Sequence, residues 1–178
     1  MSEKFAPILD REQLVSAIDA ARNDGLTVVL ANGCFDLFHA GHIRYLAGAR
    51  ALGDILVVGI NSDEQVARLK GTGRPYIPED ERAEIVSAFR PVDLVTIFPE
   101  PTVEALILAI RPDFHAKGTD YTTETVPERE IVRSYGGQVA IVGDPKDHSS
   151  TDLIKKVAGQ FPGGRNFKRG ERGERGVR

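Results

Sequence analysis

The run Ile55-Leu56-Val57-Val58-Gly59-Ile60 limits the fold more than any other stretch of this chain. A strand with one wet face alternates apolar and polar residues. This one does not, so it reads as a strand covered on both faces, as in a parallel sheet between two layers of helix. Further strand patterns fall at 27–31, 94–98, 113–117 and 138–142. Helical patterns separate them. The first opens at Asp10, where Gln13 three residues on completes a capping box, carries Leu14, Val15, Ile18 and Ala21, and stops at Gly25. Others are expected at about 40–52, 62–69, 78–89, 101–110, 123–135 and 151–158. This alternation predicts a doubly wound α/β fold: a mainly parallel five-stranded sheet with helices on both faces. Ligands of such sheets bind beyond the C-terminal ends of the strands.

The 178 residues suit one domain, expected over 1–160, with a separate tail over 161–178. The net charge of −3 is unevenly spread: residues 159–178 carry six Lys/Arg against two Glu, leaving the body at −7. An acidic body argues against a nucleic-acid partner, which needs a basic face. The Gly/Arg/Glu-rich tail has almost nothing apolar to bury and is expected to be disordered. A single cysteine excludes an intramolecular disulfide framework and suits a reducing compartment. No apolar run reads as a signal peptide or a membrane span, so a cytoplasmic protein without membrane partners is expected.

Asn32-Gly33-Cys34-Phe35-Asp36-Leu37-Phe38-His39-Ala40-Gly41-His42 connects the first strand directly to a helical pattern. Unpaired backbone N–H groups and the positive end of a helix dipole converge at such a junction and favour an anion. His39 and His42, at i and i+3, share one face there. Gly41 lets a phosphate approach the backbone without meeting a Cβ. Two imidazole N–H donors suit nucleotidyl transfer, which needs positioning and hydrogen bonds where charge develops on phosphate oxygens. Taken alone, the pair also reads as a capping histidine beside a solvent-facing one. Zinc would need a third ligand, and the His-Glu-x-x-His spacing is absent. No carboxylate cluster resembles an all-protein metal site, so no metal ligands are assigned.

The pattern over 32–42 resembles the signature of the HxGH nucleotidylyltransferase superfamily, usually Gly-Thr-Phe-Asp-x-x-His-x-Gly-His. Within it the chain is most similar to bacterial D-glycero-β-D-manno-heptose 1-phosphate adenylyltransferases, which occur alone or as the second half of a bifunctional kinase/adenylyltransferase. Three further segments carry the narrower resemblance: Asn61-Ser62-Asp63 with the loop Leu69-Lys70-Gly71-Thr72-Gly73-Arg74-Pro75, then Lys117-Gly118-Thr119-Asp120-Tyr121, then Ser149-Ser150-Thr151-Asp152. The likeness runs from about Leu26 to Val157. It implies a Rossmann-like fold and adenylyl transfer from ATP to a sugar phosphate, with Mg²⁺ carried on the nucleotide phosphates. A homo-oligomer stays open.

The resemblance also implies roles. His39 and His42 would hold the triphosphate and its transition state, with Lys70 as a third catalytic group. Asn32, Gly33, Cys34, Phe35 and Gly41 would line the nucleotide. Cys34 stands where the superfamily usually has Thr, as in the heptose enzymes; it reads as a small residue beside a ligand and not as a nucleophile. Asp36 either fixes a loop or a histidine, or makes an ordinary Asx turn. Arg74 sits on a glycine-rich loop that could fold over the phosphates. Lys117, Gly118, Asp120 and Tyr121 would take part in binding at a strand end, with Asp120 accepting from a ribose hydroxyl or the adenine amino group. A plain strand-end turn is the alternative. Ser149, Ser150 and Thr151 would cap the last helix and form a second phosphate cradle. Lys146 and His148 depart from the family pattern, and His115 reads as structural. Rival readings are CTP with glycerol 3-phosphate, ATP with FMN, a silent nucleotide-binding module, and an interaction protein working through its tail.

Overall fold

In a computed structural model that describes residues 5–144 and Ile154, Leu56 to Asn61 are all buried, as a strand covered on both faces must be. The elements run α1 (Arg11–Asn23), β1 (Val28–Gly33), α2 (Ala40–Arg50), β2 (Ile55–Asn61), α3 (Asp63–Lys70), α4 (Glu79–Ser87), β3 (Leu94–Phe98), α5 (Glu104–Ile110), β4 (Phe114–Lys117), α6 (Arg129–Ser134) and β5 (Gln138–Ile141). The five strands form one parallel sheet in the order β3-β2-β1-β4-β5. This is the doubly wound, Rossmann-like arrangement expected. Of the expected last helix only Ile154, which is helical, falls among the described residues, and the tail lies outside them.

Period-two burial divides the strand side chains between two cores. Val29, Ala31, Leu56, Val58 and Ala116 pack on one face with Leu46 and Ala49 of α2 and Ala83 and Val86 of α4. Val28, Leu30 and Val57 pack on the other with Leu14 and Ile18 of α1, Leu106 and Ile110 of α5 and Val132 of α6. Fully burying one such aliphatic side chain is worth about 1.5–3 kcal/mol, so neither face can be left uncovered. The capping box of α1 forms as the sequence predicts: the Gln13 N–H donates to Asp10 Oδ1 at 2.8 Å, and the Asp10 N–H to Gln13 Oε1 at 3.2 Å.

Two differences from the sequence expectation bear on the site. β1 runs on through Asn32 and Gly33, which pair in register with Gly59 and Ile60, so both residues sit at a rigid strand end and not in a turn. The helix expected at 123–135 begins only at Arg129. Thr122 and Thr125 account for the delay: the Thr122 N–H donates to Thr125 Oγ1 at 2.8 Å, and that hydroxyl donates back to the Thr122 carbonyl at 3.2 Å. Such local bonds compete with helix formation. Residues 118–128 are therefore an irregular wall beside the sheet edge.

The strand order reverses between β1 and β4. The ends of these two central strands carry Asn32 and Lys117, and the cleft opens above them, as the switch-point rule requires.

Candidate active site

The cleft holds about 660 Å³. Its lining includes Asn32, Gly33, Cys34, Phe35, Asp36, His39, Gly41, His42, Lys70, Arg74, Lys117, Gly118, Asp120 and Tyr121. The structure thus gathers every sequence-predicted site residue that falls among those described. Ser149, Ser150 and Thr151, with Lys146 and His148, lie outside them.

His39 is the N-cap of α2, and the two histidines form a capping box from imidazoles. The Gly41 N–H donates to His39 Nδ1 at 3.1 Å, and the His39 N–H donates to His42 Nδ1 at 3.3 Å. The rings stack with centroids 3.9 Å apart. A backbone N–H can only donate, so each Nδ1 must offer a lone pair, and each neutral ring carries its proton on Nε2. Burial, with help from the nearby charges of His39 and Lys70, pushes the His42 pKa down to about 4. At neutral pH His42 is therefore an uncharged donor.

This alters the expected anion site. The N–H groups of His39 and Gly41, two of those at the junction that was expected to favour an anion, are occupied by the rings. Each imidazole takes up a backbone proton donor at Nδ1 and carries its own at Nε2, so the donating end of the helix is carried outward by one ring. The capping reading and the phosphate reading of His39 are thus compatible.

The approach to α2 is strained. Phe35 and Leu37 have φ of +49° and +63°, a region that costs a non-glycine residue about 1–2 kcal/mol. Packing holds Phe35 there. The Phe35 ring is buried against His42 and Tyr45, at 5.2 and 6.5 Å between centroids. A Cβ on Gly33 would stand 3.2 Å from that ring.

Asp36, also buried, makes no Asx turn; it fixes a distant loop. It accepts from Arg74 Nε at 2.5 Å and from the backbone N–H groups of Tyr76 and Ile77 at 2.9 and 3.2 Å. Arg74, expected to face phosphates, commits its Nε to that carboxylate and lies 4.7 Å over the Tyr76 ring. Lys70 is different. It is exposed and makes no ion pair with the described residues, and its charge acts on both Cys34 and His42. Burial raises the Cys34 thiol pKa, so that residue is no poised thiolate.

Sequence reasoning missed Arg82, which is fully buried. Its guanidinium donates to the carbonyls of Ile77 (3.0 Å), Cys34 (2.5 Å) and Asn61 (2.9 Å), and to Asp63 Oδ1 (2.7 Å). One side chain thus ties together the cleft-lining loop after β1, the end of β2, the start of α3 and the loop before α4. Arg82, one position before Ala83 and four before Val86, lies on the inward stripe of α4. That spacing was the available signal, hidden by the acidic neighbours Glu79, Asp80 and Glu81.

On the β4 side, Asn32 Oδ1 faces His115 Nε2 at 3.1 Å and Lys117 Nζ at 3.5 Å. His115 is fully buried, and burial pushes its pKa down to about 3. It is structural, as expected, but it also orients a cleft residue. Glu128, unpredicted, lies 3.3 Å from Lys117 Nζ.

Residues 30–156 match the family model described as cytidylyltransferase-like, which covers most of the chain. The chain belongs to that family. It is a nucleotidyltransferase. Among relatives of the family, Bifunctional protein HldE of Pelobacter propionicus is 48% identical over 160 residues, 90% of this chain and 33% of the relative. Bifunctional protein HldE of Trichlorobacter lovleyi is 47% identical over 154 residues, 86% of this chain and 31% of the relative. The chain spans about a third of the length of these relatives. The crystal structure of the lipopolysaccharide core biosynthesis protein from Thermoplasma volcanium GSS1 is similar at a TM-score of 0.58 and 28% identity, covering 68% of this chain and 100% of that one. No helix among the described residues is long and apolar enough to cross a membrane.

Proposed function

We propose that the chain transfers the adenylyl group of ATP to D-glycero-β-D-manno-heptose 1-phosphate, giving ADP-heptose and pyrophosphate. The observation that carries nucleotidyl transfer is the locked histidine pair, with both Nδ1 atoms held by the α2 backbone inside the switch-point cleft. A phosphate oxygen of the sugar phosphate attacks the α-phosphorus in line. The bond from that phosphorus to the β-bridging oxygen breaks, and its electron pair leaves with pyrophosphate. The nucleophile is already an anion, so no protein base is needed. The Nε2 protons of His39 and His42 hydrogen-bond phosphate oxygens as charge builds, an effect worth about 2.7–4 kcal/mol per donor in comparable sites. Lys70 adds a cation on the same side.

Asn32, Gly33, Cys34 and Phe35 on one flank, and Lys117, Gly118, Asp120 and Tyr121 on the other, would line the nucleotide. Mg²⁺ enters as part of the substrate, on the triphosphate. Among the described residues no three His, Cys, Asp or Glu side chains gather to hold a metal of the protein's own. The heptose acceptor is supported by the Lys-Gly-x-Asp-Tyr segment and by the likeness to part of proteins named as bifunctional HldE. We place the enzyme in the cytoplasm.

Pyrophosphate release, measured for ATP, CTP and GTP against heptose 1-phosphate, glycerol 3-phosphate and FMN, tests the reading. Turnover is expected with ATP and heptose 1-phosphate. Turnover confined to CTP with glycerol 3-phosphate, the pairing that the family's cytidylyl name favours, would overturn the acceptor and the nucleotide together.

A further inference from the structure

Lys117 ends β4 and Glu128 stands at the N-terminal boundary of α6; their side chains are 9% and 10% exposed, and both residues line the cleft. Nζ and Oε2 are 3.3 Å apart. Three observations separate this pair from an ion pair that merely holds the fold. The Glu128 side chain makes no capping bond to α6, the usual local use of a polar group there. Its Oε2 is buried and finds no partner among the described residues other than the Lys117 ammonium, whose bond to it favours the charged amine. Lys117 meanwhile reaches across the switch point, 3.5 Å from Asn32 Oδ1 and 5.1 Å over the Tyr121 ring.

We propose that Glu128 is the positioning residue for Lys117, keeping its ammonium charged and aimed across the β1/β4 switch point to donate to the nucleoside end of the substrate. The proposal rests on reading the cleft as a nucleotide site. A lysine neutralised by a carboxylate 3.3 Å away adds almost no net positive charge. That makes it a poor partner for a triphosphate and a good one for an uncharged acceptor on a base or a ribose. Lys70, which pairs with none of the described residues and whose charge acts on His42, is the cation on the phosphate side. Burial is the larger influence on Lys117 and pushes its pKa down; the charge of Glu128 opposes it. The other groups facing the amine do not replace that charge. His115 on β4 is neutral, Asn32 on β1 is uncharged, and Tyr45 on α2 keeps its proton because burial raises its phenol. Tyr121 offers a ring face, and Asp120 lies on the same wall of the cleft.

The test is the pH profile of kcat/KM for ATP, with ATP affinity measured separately by calorimetry across the same range. Glu128→Gln is expected to move the alkaline limb down by about one pH unit or more, as loss of an opposite charge at this range does. It should also raise KM for ATP several-fold while kcat changes little. Glu128→Asp should restore part of the limb, and Lys117→Gln should remove it. An alkaline limb unmoved in Glu128→Gln, or one that persists in Lys117→Gln, overturns the assignment. If Glu128→Gln does not fold, Glu128→Asp against wild type carries the comparison: a shorter arm that leaves limb and KM unchanged also overturns it. A wild-type protein that neither binds nor turns over any nucleotide is a different failure, that of the nucleotide reading itself.

Discussion

The two walls of the cleft carry the same kinds of charge and use them in opposite ways. On the wall beside β2, Asp36, Arg74, Arg82 and Asp63 bond to one another and to backbone carbonyls and N–H groups. On the wall beside β4, Lys117 and Glu128 pair with each other, and the ammonium also faces Asn32 and the Tyr121 ring across the cleft. The first wall is scaffold and the second can still respond to a ligand. A cation at a cleft is therefore no evidence of anion binding until its own partners are counted. Lys70, which ends α3, and Arg74, four residues on in the following loop, fall on opposite sides of that distinction.

The comparison is tested hardest between the walls, at the histidines. His39→Ala or His42→Ala should lower kcat by roughly two to three orders of magnitude, with circular dichroism unchanged and the melting temperature lowered by only a few degrees, as loss of a helix cap worth about 1 kcal/mol does. A variant that keeps near-normal kcat would make that ring a cap and nothing more. Next comes the scaffold wall. Arg82→Met leaves the Cys34, Asn61 and Ile77 carbonyls without their donor and should cost about 3 kcal/mol or more in urea unfolding. Arg82→Lys should rescue little, because one ammonium cannot span acceptors on four segments.

A finer discrimination lies in Asp36 against Arg74. If Arg74 serves mainly to hold its loop, Asp36→Asn should cost at least as much stability as Arg74→Ala, about 1.5–3 kcal/mol for charged hydrogen bonds. Both should then lower kcat to a similar extent. A far larger kcat loss in Arg74→Ala alone would move Arg74 to the responsive side of the comparison.

The smallest effect is acid sensitivity. His115 has a folded pKa of about 3 against an ordinary value of 6.5, so the unfolded chain takes up the proton first. Its contribution is complete above pH 6.5 and falls steadily as pH drops towards 3. Between pH 7 and 5.5 that amounts to about 1 kcal/mol. Thermal melts should show the decline in wild type and a flatter one in His115→Gln. Parallel curves would place the acid-sensitive group elsewhere.

Much of this molecule can be read from short-range pattern. The unbroken apolar run at Ile55–Ile60 dictates a strand buried on both faces, and the order of elements follows from the alternation around it. The cleft residues were legible for a related reason: strand ends and helix starts mark themselves in sequence. What stayed hidden depends on partners far away in the chain. Arg82 looks like one more charge on an acidic helix until the carbonyls of Cys34 and Asn61 arrive beside it. Glu128 has no local signature, because its partner is eleven positions away across an irregular loop. The hydroxyl bonding of Thr122 and Thr125, which shortens α6, is visible in composition but is masked by the helical periodicity of the same stretch. Occupation of the α2 N–H groups by imidazoles needs actual ring orientations, and no spacing rule supplies those.

Arg82 has one more consequence. Its acceptors belong to residues 34, 61, 63 and 77, segments that have no reason to meet until β1, β2 and α4 are docked. The loop leading to His39 and His42 is thus held by a knot that no fragment can tie. Partial structure should carry no partial turnover, and catalysis should vanish in step with the folded fraction as denaturant rises. Turnover would then report cooperative unfolding as faithfully as a spectroscopic probe does.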